Sequence, residues 1–154
     1  MRPSRVTDSA FIHRAQAADL PLILELVAEF CITGHHTFDA GRVTRAVIPL
    51  LESDDLGVVY LTDNNQGYLV VTWGSSLESG GPEALIDEIY LRRRGQGIGG
   101  RVMAALFQEM AARGVVKIFL ETETHNARAR RFYTRQGFVA DDSIWMSRDI
   151  SHPS

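Results

Sequence analysis

The chain has a single cysteine, Cys31, among 154 residues. No internal disulfide can form, and no closely spaced set of cysteines and histidines offers the ligands of a zinc site. Such cysteine usage fits a reducing compartment. Positive charge is also short: 16 Lys and Arg against 19 Asp and Glu leave a net charge of -3 at pH 7, which argues against nucleic-acid binding through a bulk basic field. Long apolar runs are missing, since no window approaches the ~18 residues needed to cross a bilayer. The first residues, MRPSRVTDSAFIHR, are polar where a signal peptide would be apolar. No repeat or low-complexity tract is visible. These absences predict a cytoplasmic protein with no membrane or nucleic-acid partner.

At 45% hydrophobic, the chain can fill one core and is too short for two comfortable ones, so a single domain over residues 1–154 is expected. Only residues 1–9 and 151–154 look loosely held. Phe11 to Ala15 reads as a short strand, and Asp19 as the N-cap of a helix with Pro21 in its first turn. Leu22, Ile23, Leu26, Val27 and Phe30 give that helix an apolar face. After a loop through His35, His36, Thr37, Phe38 and Asp39, residues Arg42 to Leu51 read as a second helix. Gly57 to Thr62 and Tyr68 to Trp73 are β-rich, and the turn residues Asp63 to Gly67 between them predict an antiparallel hairpin.

The stretch around which the chain is organised runs from Asp87 to Tyr133. Ala84 to Leu91 reads as a buried strand. Ile98, Val102, Leu106 and Met110 recur every four residues as the apolar face of a helix that Gly114 ends. Between them stand Arg92, Arg93, Arg94, Gly95, Gln96, Gly97, Ile98, Gly99 and Gly100. Glycines between a strand and a helix let a ligand approach the unpaired amides of the first turn, where the helix dipole adds positive charge. That arrangement suits a pyrophosphate, and guanidinium groups at its entrance would pair with phosphate oxygens. Val115 to Thr122 is the next strand, and a right-handed crossover would make it the parallel neighbour of the first. A helix then follows Asn126, and Phe138 to Ala140 with Ile144 to Arg148 read as a closing strand pair around Asp141 and Asp142.

The glycine turn can be parsed in two ways. Gly95, Gly97 and Gly100 satisfy GxGxxG, with Glu121 about 20 residues on, as a dinucleotide-binding oxidoreductase requires. That fold usually opens with its fingerprint, whereas here a hairpin precedes it, and three consecutive arginines have no place in it. Arg94, Gly97 and Gly99 instead satisfy RxxGxG, which resembles the acetyl-CoA motif of the GNAT superfamily of N-acetyltransferases. The downstream run Asn126, Ala127, Arg128, Ala129, Arg130, Arg131, Phe132, Tyr133, closing in Gln136, Gly137 and Phe138, is similar to that family's second signature. The two motifs together cover about the C-terminal half.

The resemblance implies an α/β (α+β) fold with a mixed, mostly antiparallel sheet of six to seven strands, helices on both faces, and two central parallel strands that splay beyond Leu91. It implies that acetyl-CoA lies with its pantetheine arm along the backbone of Ile89, Tyr90 and Leu91. The pyrophosphate would rest on the amides of Gln96, Gly97, Ile98, Gly99 and Gly100, with Asn126, Arg130 and Tyr133 as further cofactor contacts. The loop from Leu91 to the motif arginine is shorter than is usual in the family, which leaves open whether Arg92 or Arg94 reaches the phosphates. Tyr133 is the position the family pattern gives to the general acid, and a phenol with a reference pKa of about 10 can protonate a departing thiolate.

Asp87 and Glu88 are the candidate bases on the strand, where neighbours face opposite sides. Glu121 and Glu123 are runners-up. Asp39, Asp54 and Asp55 on candidate rim segments would add to the attraction for a cation. The expected activity is direct acetyl transfer to a primary amine, either a small molecule or a peptide, with a homodimer allowed. The alternative is a non-catalytic acyl-CoA sensor of the same fold.

Overall fold

In the computed structural model, which describes residues 11–151, strand β1 (Ile12–Arg14) leads through a 3-10 turn (Ala17–Asp19) into helix α1 (Leu20–Thr33) and helix α2 (Ala40–Glu52). Strands β2 (Gly57–Thr62), β3 (Gly67–Ser76) and β4 (Gly81–Leu91) follow, then helix α3 (Ile98–Ala112), strand β5 (Lys117–Leu120) and helix α4 (Ala127–Arg135). The five strands form one sheet in sequence order, antiparallel from β1 to β4 and parallel between β4 and β5. By its internal contacts the chain divides into two units, the larger ending at Glu121 and the smaller beginning at Thr122.

Alternation along the strands sorts the core of the larger unit into two layers. Val59, Leu61, Tyr68 and Val70 turn to one face and pack with Ile23, Leu26 and Val27 of α1 and Val47, Leu50 and Leu51 of α2. Val58, Tyr60 and Val71 alternate with them on the opposite face. There Arg113, just past α3, carries its charge to Tyr60 and stacks over Trp73. Val102, Met103, Leu106 and Met110, on the apolar face of α3, are fully buried. The sheet thus carries helices on both faces, as expected.

Three expectations are corrected. The closing strand pair does not form: residues 138–140 and 144–148 have no sheet partner, and Val139, Ile144, Trp145 and Met146 are exposed. Short apolar runs on either side of a turn do not make a strand without a partner. The sheet therefore has five strands among the described residues rather than six or seven. Asp19 stands at the N-cap position of α1, but its carboxylate accepts from the Gln16 amide behind it at 2.8 Å and caps nothing ahead. The parallel strands part earlier than Leu91: their last matched pair is Ile86 with Leu120.

Beyond that pair β4 also bulges. Val70 faces Glu88 while Val71 faces Ile86, so Asp87 is an extra residue with no partner across the strand. A bulge re-aims the side chains that follow it. Ile86 is buried opposite Val71, whereas Glu88 lies opposite Val70 on the α1 face.

Candidate functional site

Glu88 is the half-buried carboxylate that the bulge delivers to the α1 face. Tyr68, its diagonal neighbour on β3, is fully buried and donates its hydroxyl to Glu88 Oε2 at 3.1 Å. Burial pushes the Glu88 carboxyl above the usual range. The Tyr68 bond pulls it back, Asp87 adds to the rise and a charge on His36 opposes it. Burial likewise drives the Tyr68 phenol upward, with the Glu88 charge as a second cause. Tyr68 is thus held as a neutral donor. Asp87 sits on the bulge itself. Its carboxyl is also raised by desolvation, yet its surface is exposed, and the exposure decides: Asp87 is a solvated carboxylate.

Around this pair is an aromatic cluster. Phe30 packs edge-on against Tyr68 at 6.5 Å and Tyr90 at 6.2 Å, and Tyr68 and Tyr90 lie 6.3 Å apart across paired strand positions. His36 stacks on Phe30 at 6.5 Å. Cys31 is buried beside them, its thiol raised first by burial and then by the Glu88 charge.

Arg92 is placed differently from the phosphate role considered for it. Its guanidinium forks onto Glu29 of α1, with Nε at 2.8 Å from Oε2 and Nη2 at 2.7 Å from Oε1, and also reaches Glu25 at 2.7 Å. Tyr90 donates its hydroxyl to the same Glu29 at 3.1 Å. Glu29 is held low chiefly by the Arg92 bond. A phosphate would have to displace two carboxylates, so Arg92 ties the end of β4 to α1, and Arg93 and Arg94, both exposed, are left to face an anion.

The turn itself has the shape that an anion cradle needs. Gly95, Gln96 and Gly97 run in succession through positive φ, at 94°, 56° and 73°, which is costly for most residues with a side chain. A Cβ on Gly95 or Gly97 would meet nothing within 4 Å, so the turn faces open space. Gly97 is the N-cap of α3 and Gly99 and Gly100 lie in its first turn, whose amides have no acceptor within the helix. On β4, Asp87 to Leu91 have lost β5 as a neighbour, which leaves backbone on that edge for a ligand's amides. A cofactor with a pyrophosphate and an amide-bearing arm fits these two features.

Asn126, Arg130 and Tyr133 belong to the smaller unit. Asn126 caps α4, accepting from the Ala129 amide at 3.1 Å, and Arg130 donates to the Glu123 carbonyl at 2.8 Å. Tyr133, half-buried, lies edge-on to Phe132 at 5.2 Å and Phe138 at 5.7 Å. The carbonyl of Tyr133 takes the Phe138 amide at 3.0 Å in the turn that ends the helix. Of the runner-up bases, Glu121 is exposed and Glu123 approaches His125 at 2.9 Å. Two supposed rim carboxylates are occupied locally: Asp39 caps α2 through the Arg42 amide, and Asp54 joins Arg14 at 2.6 Å and Arg113 at 3.0 Å. Among the described residues no cluster could hold a metal ion and no helix is long and apolar enough to cross a membrane.

Sequence reasoning missed Tyr68 and Glu29. A signal for Glu29 was available, because Glu25 and Glu29 are the only charged residues in Leu20–Thr33 and are one helical turn apart. Tyr68 gave none beyond being an aromatic in an aliphatic strand.

Comparison with known proteins supports the fold and gives the family. No curated protein matches the chain in sequence. Among solved structures, an integron cassette protein from the mobile metagenome of Cole Harbour Salt Marsh superposes with a TM-score of 0.83 at 25% identity, over 99% of this chain and 98% of that one. An aminoglycoside acetyltransferase from an uncultured soil metagenomic sample, in complex with sisomicin, gives 0.70 at 20% identity over 90% and 93%. The ribosomal-protein-alanine N-acetyltransferase of Brucella melitensis biovar Abortus 2308 gives 0.71 at 19% over 90% and 97%. The model of the acetyltransferase (GNAT) family matches residues 32–138, a span holding the glycine turn, the bulged strand and the Asn126 signature, and the chain belongs to that family.

Proposed function

We propose that the chain is an N-acetyltransferase that moves the acetyl group of acetyl-CoA to a primary amine by direct attack. The observation that carries this reading is Glu88, a half-buried carboxylate with a raised affinity for protons, fixed by Tyr68 beside the strand edge that β5 leaves open. Bound along that edge, acetyl-CoA would supply an activated acyl carbonyl. The amides of the Gly97 turn and the exposed Arg94 would hold its phosphates, and Ile89, Tyr90 and Leu91 would present backbone to its arm.

Glu88 then takes a proton from the acceptor's ammonium, which frees the nitrogen lone pair for the carbonyl carbon. Positioned proton transfer of this kind is typically worth about 10² to 10⁴ in rate. Tyr133, by its place in the family motif, protonates the departing sulfur. Similarity in fold to an aminoglycoside acetyltransferase and to a ribosomal-protein-alanine N-acetyltransferase is consistent with an amine acceptor, small or peptidic.

The test is release of free thiol from acetyl-CoA across a panel of amines, amino acids and peptides. Turnover with at least one amine, lost in Glu88→Gln, is expected. Calorimetric CoA binding without turnover on any acceptor would make the protein a sensor. Binding of NAD(H) in place of CoA would return it to the dinucleotide class.

A further inference from the structure

The loop after α1 is built to hold one imidazole in place. The His36 ring lies over Gly34, where a Cβ would come within 2.8 Å of its Cδ2 and 3.3 Å of its Nε2 and push the ring aside. His35 takes a left-handed φ of 56°, a conformation that non-glycine residues adopt at a cost. The His36 amide donates to the Cys31 carbonyl at 2.8 Å. The ring so placed stacks on Phe30 with an interplanar angle of 27°. Phe30 packs on Tyr68, and Tyr68 holds Glu88. His36 is itself exposed. A solvent-facing imidazole, stacked on the ring that packs on Tyr68, therefore lies within electrostatic reach of a carboxylate more buried than itself.

We propose that His36 is the proton exit for Glu88: it accepts the proton that Glu88 removes from the acceptor's ammonium and delivers it to solvent. The inference rests on the proposed acetyl transfer and adds a relay residue to it. In the step, an N–H bond of the ammonium breaks as an O–H bond forms on Glu88. That O–H then breaks as an N–H forms on the imidazole, directly or through one water, and the imidazolium loses its proton to bulk water. Glu88 is returned as a carboxylate for the next turnover, with no change in redox state. Histidine suits the task because imidazole gains and loses a proton near neutral pH. Tyr68 from β3 bonds Glu88, and the charges that act on or feel it are those of Asp87 from its own strand, Cys31 from α1 and His36 from the loop. Tyr68 and Cys31 are held protonated by burial and Asp87 is a second carboxylate, whereas His36 is the basic group of the set and is exposed.

The experiment uses the full chain with acetyl-CoA and the best amine of the panel. His36→Gln should lower kcat by about tenfold or more, a fraction of the 10² to 10⁴ typical of a general base because water carries part of the traffic. CoA affinity and melting temperature should stay at wild-type values. Added imidazole should restore much of the lost rate in His36→Gln and none in Glu88→Gln. Gly34→Ala, which keeps every titratable group but drives the ring from its place, should also lower kcat. Wild-type kcat in His36→Gln, or a loss that imidazole leaves untouched, would overturn the relay while leaving the acetyltransferase reading intact. Absence of thiol release by the wild-type chain on every amine would overturn both.

Discussion

At Glu88, burial and chemistry pull in opposite directions. The folded chain holds the Glu88 proton above the ordinary value of 4.5, so it binds protons more tightly than the unfolded chain. The sign of the linkage follows: this group's contribution to stability is full below about pH 4.5 and is lost as pH rises through the raised folded value. Glu88→Gln should therefore melt at a higher temperature than wild type at pH 7, where wild type must keep a desolvated charge, and at no higher temperature near pH 4. Its rate of thiol release should fall by about 10² or more. Melting curves at the two pH values check the first claim; a variant less stable at pH 7 would mean that the Tyr68 bond outweighs the desolvation. Tyr68→Phe tests the same pair from the other side. Its hydroxyl lowers the Glu88 carboxyl, so its removal should move the acid limb of the kcat/KM profile to higher pH. An unmoved limb would show that Glu88 is not the titrating base.

Between elements, the contact that matters most is the fork from Arg92 onto α1. It fastens the last residues of β4, which have no β5 beside them, to Glu29 and Glu25. Melting temperatures should fall most for Arg92→Ala, less for Glu29→Gln and least for Glu25→Gln, whose side chain is the most exposed of the three at 63%. A stable Arg92→Ala that loses CoA binding would return Arg92 to the phosphates. Gly97→Glu should leave the chain folded, because its Cβ meets open space, at a cost of about 1–2 kcal/mol for the left-handed φ. Calorimetry should show no CoA binding, since a carboxylate then stands where a pyrophosphate would lie; wild-type affinity would place the site elsewhere.

What could be read from the sequence divides along the same line. The β2–β3 hairpin, α3 and the glycine turn were legible because their signals are local: turn residues, a four-residue apolar period, glycines between a strand and a helix. The Asp87 bulge was not, since register is fixed by the partner strand and Val70 opposite Glu88 carries no mark of it. Ile144 to Arg148 misled for the same reason, as a short apolar run describes a willing strand and says nothing of whether a neighbour exists.

For the molecule as a whole, a net charge of -3 says little about the acceptor, because two of the three candidate rim carboxylates are already answered. Asp54 is held low by Arg14 and Arg113, and Asp39 by the first turn of α2. Selection of a cation then falls to Glu88 at short range, and half-buried charges are screened less by salt than exposed ones. The phosphates of CoA would instead meet Arg93 and Arg94 at an exposed turn. We therefore expect a primary amine to be preferred over acidic amino acids and hydroxyl compounds. Its KM should change little between about 50 and 500 mM salt, while the KM for acetyl-CoA rises several-fold over that range. Steady-state kinetics at varied ionic strength measure both. A steep rise in the acceptor's KM would restore the acidic rim as the recruiting surface. A best acceptor that is anionic would remove the charge argument at Glu88 and leave the acetyl transfer standing.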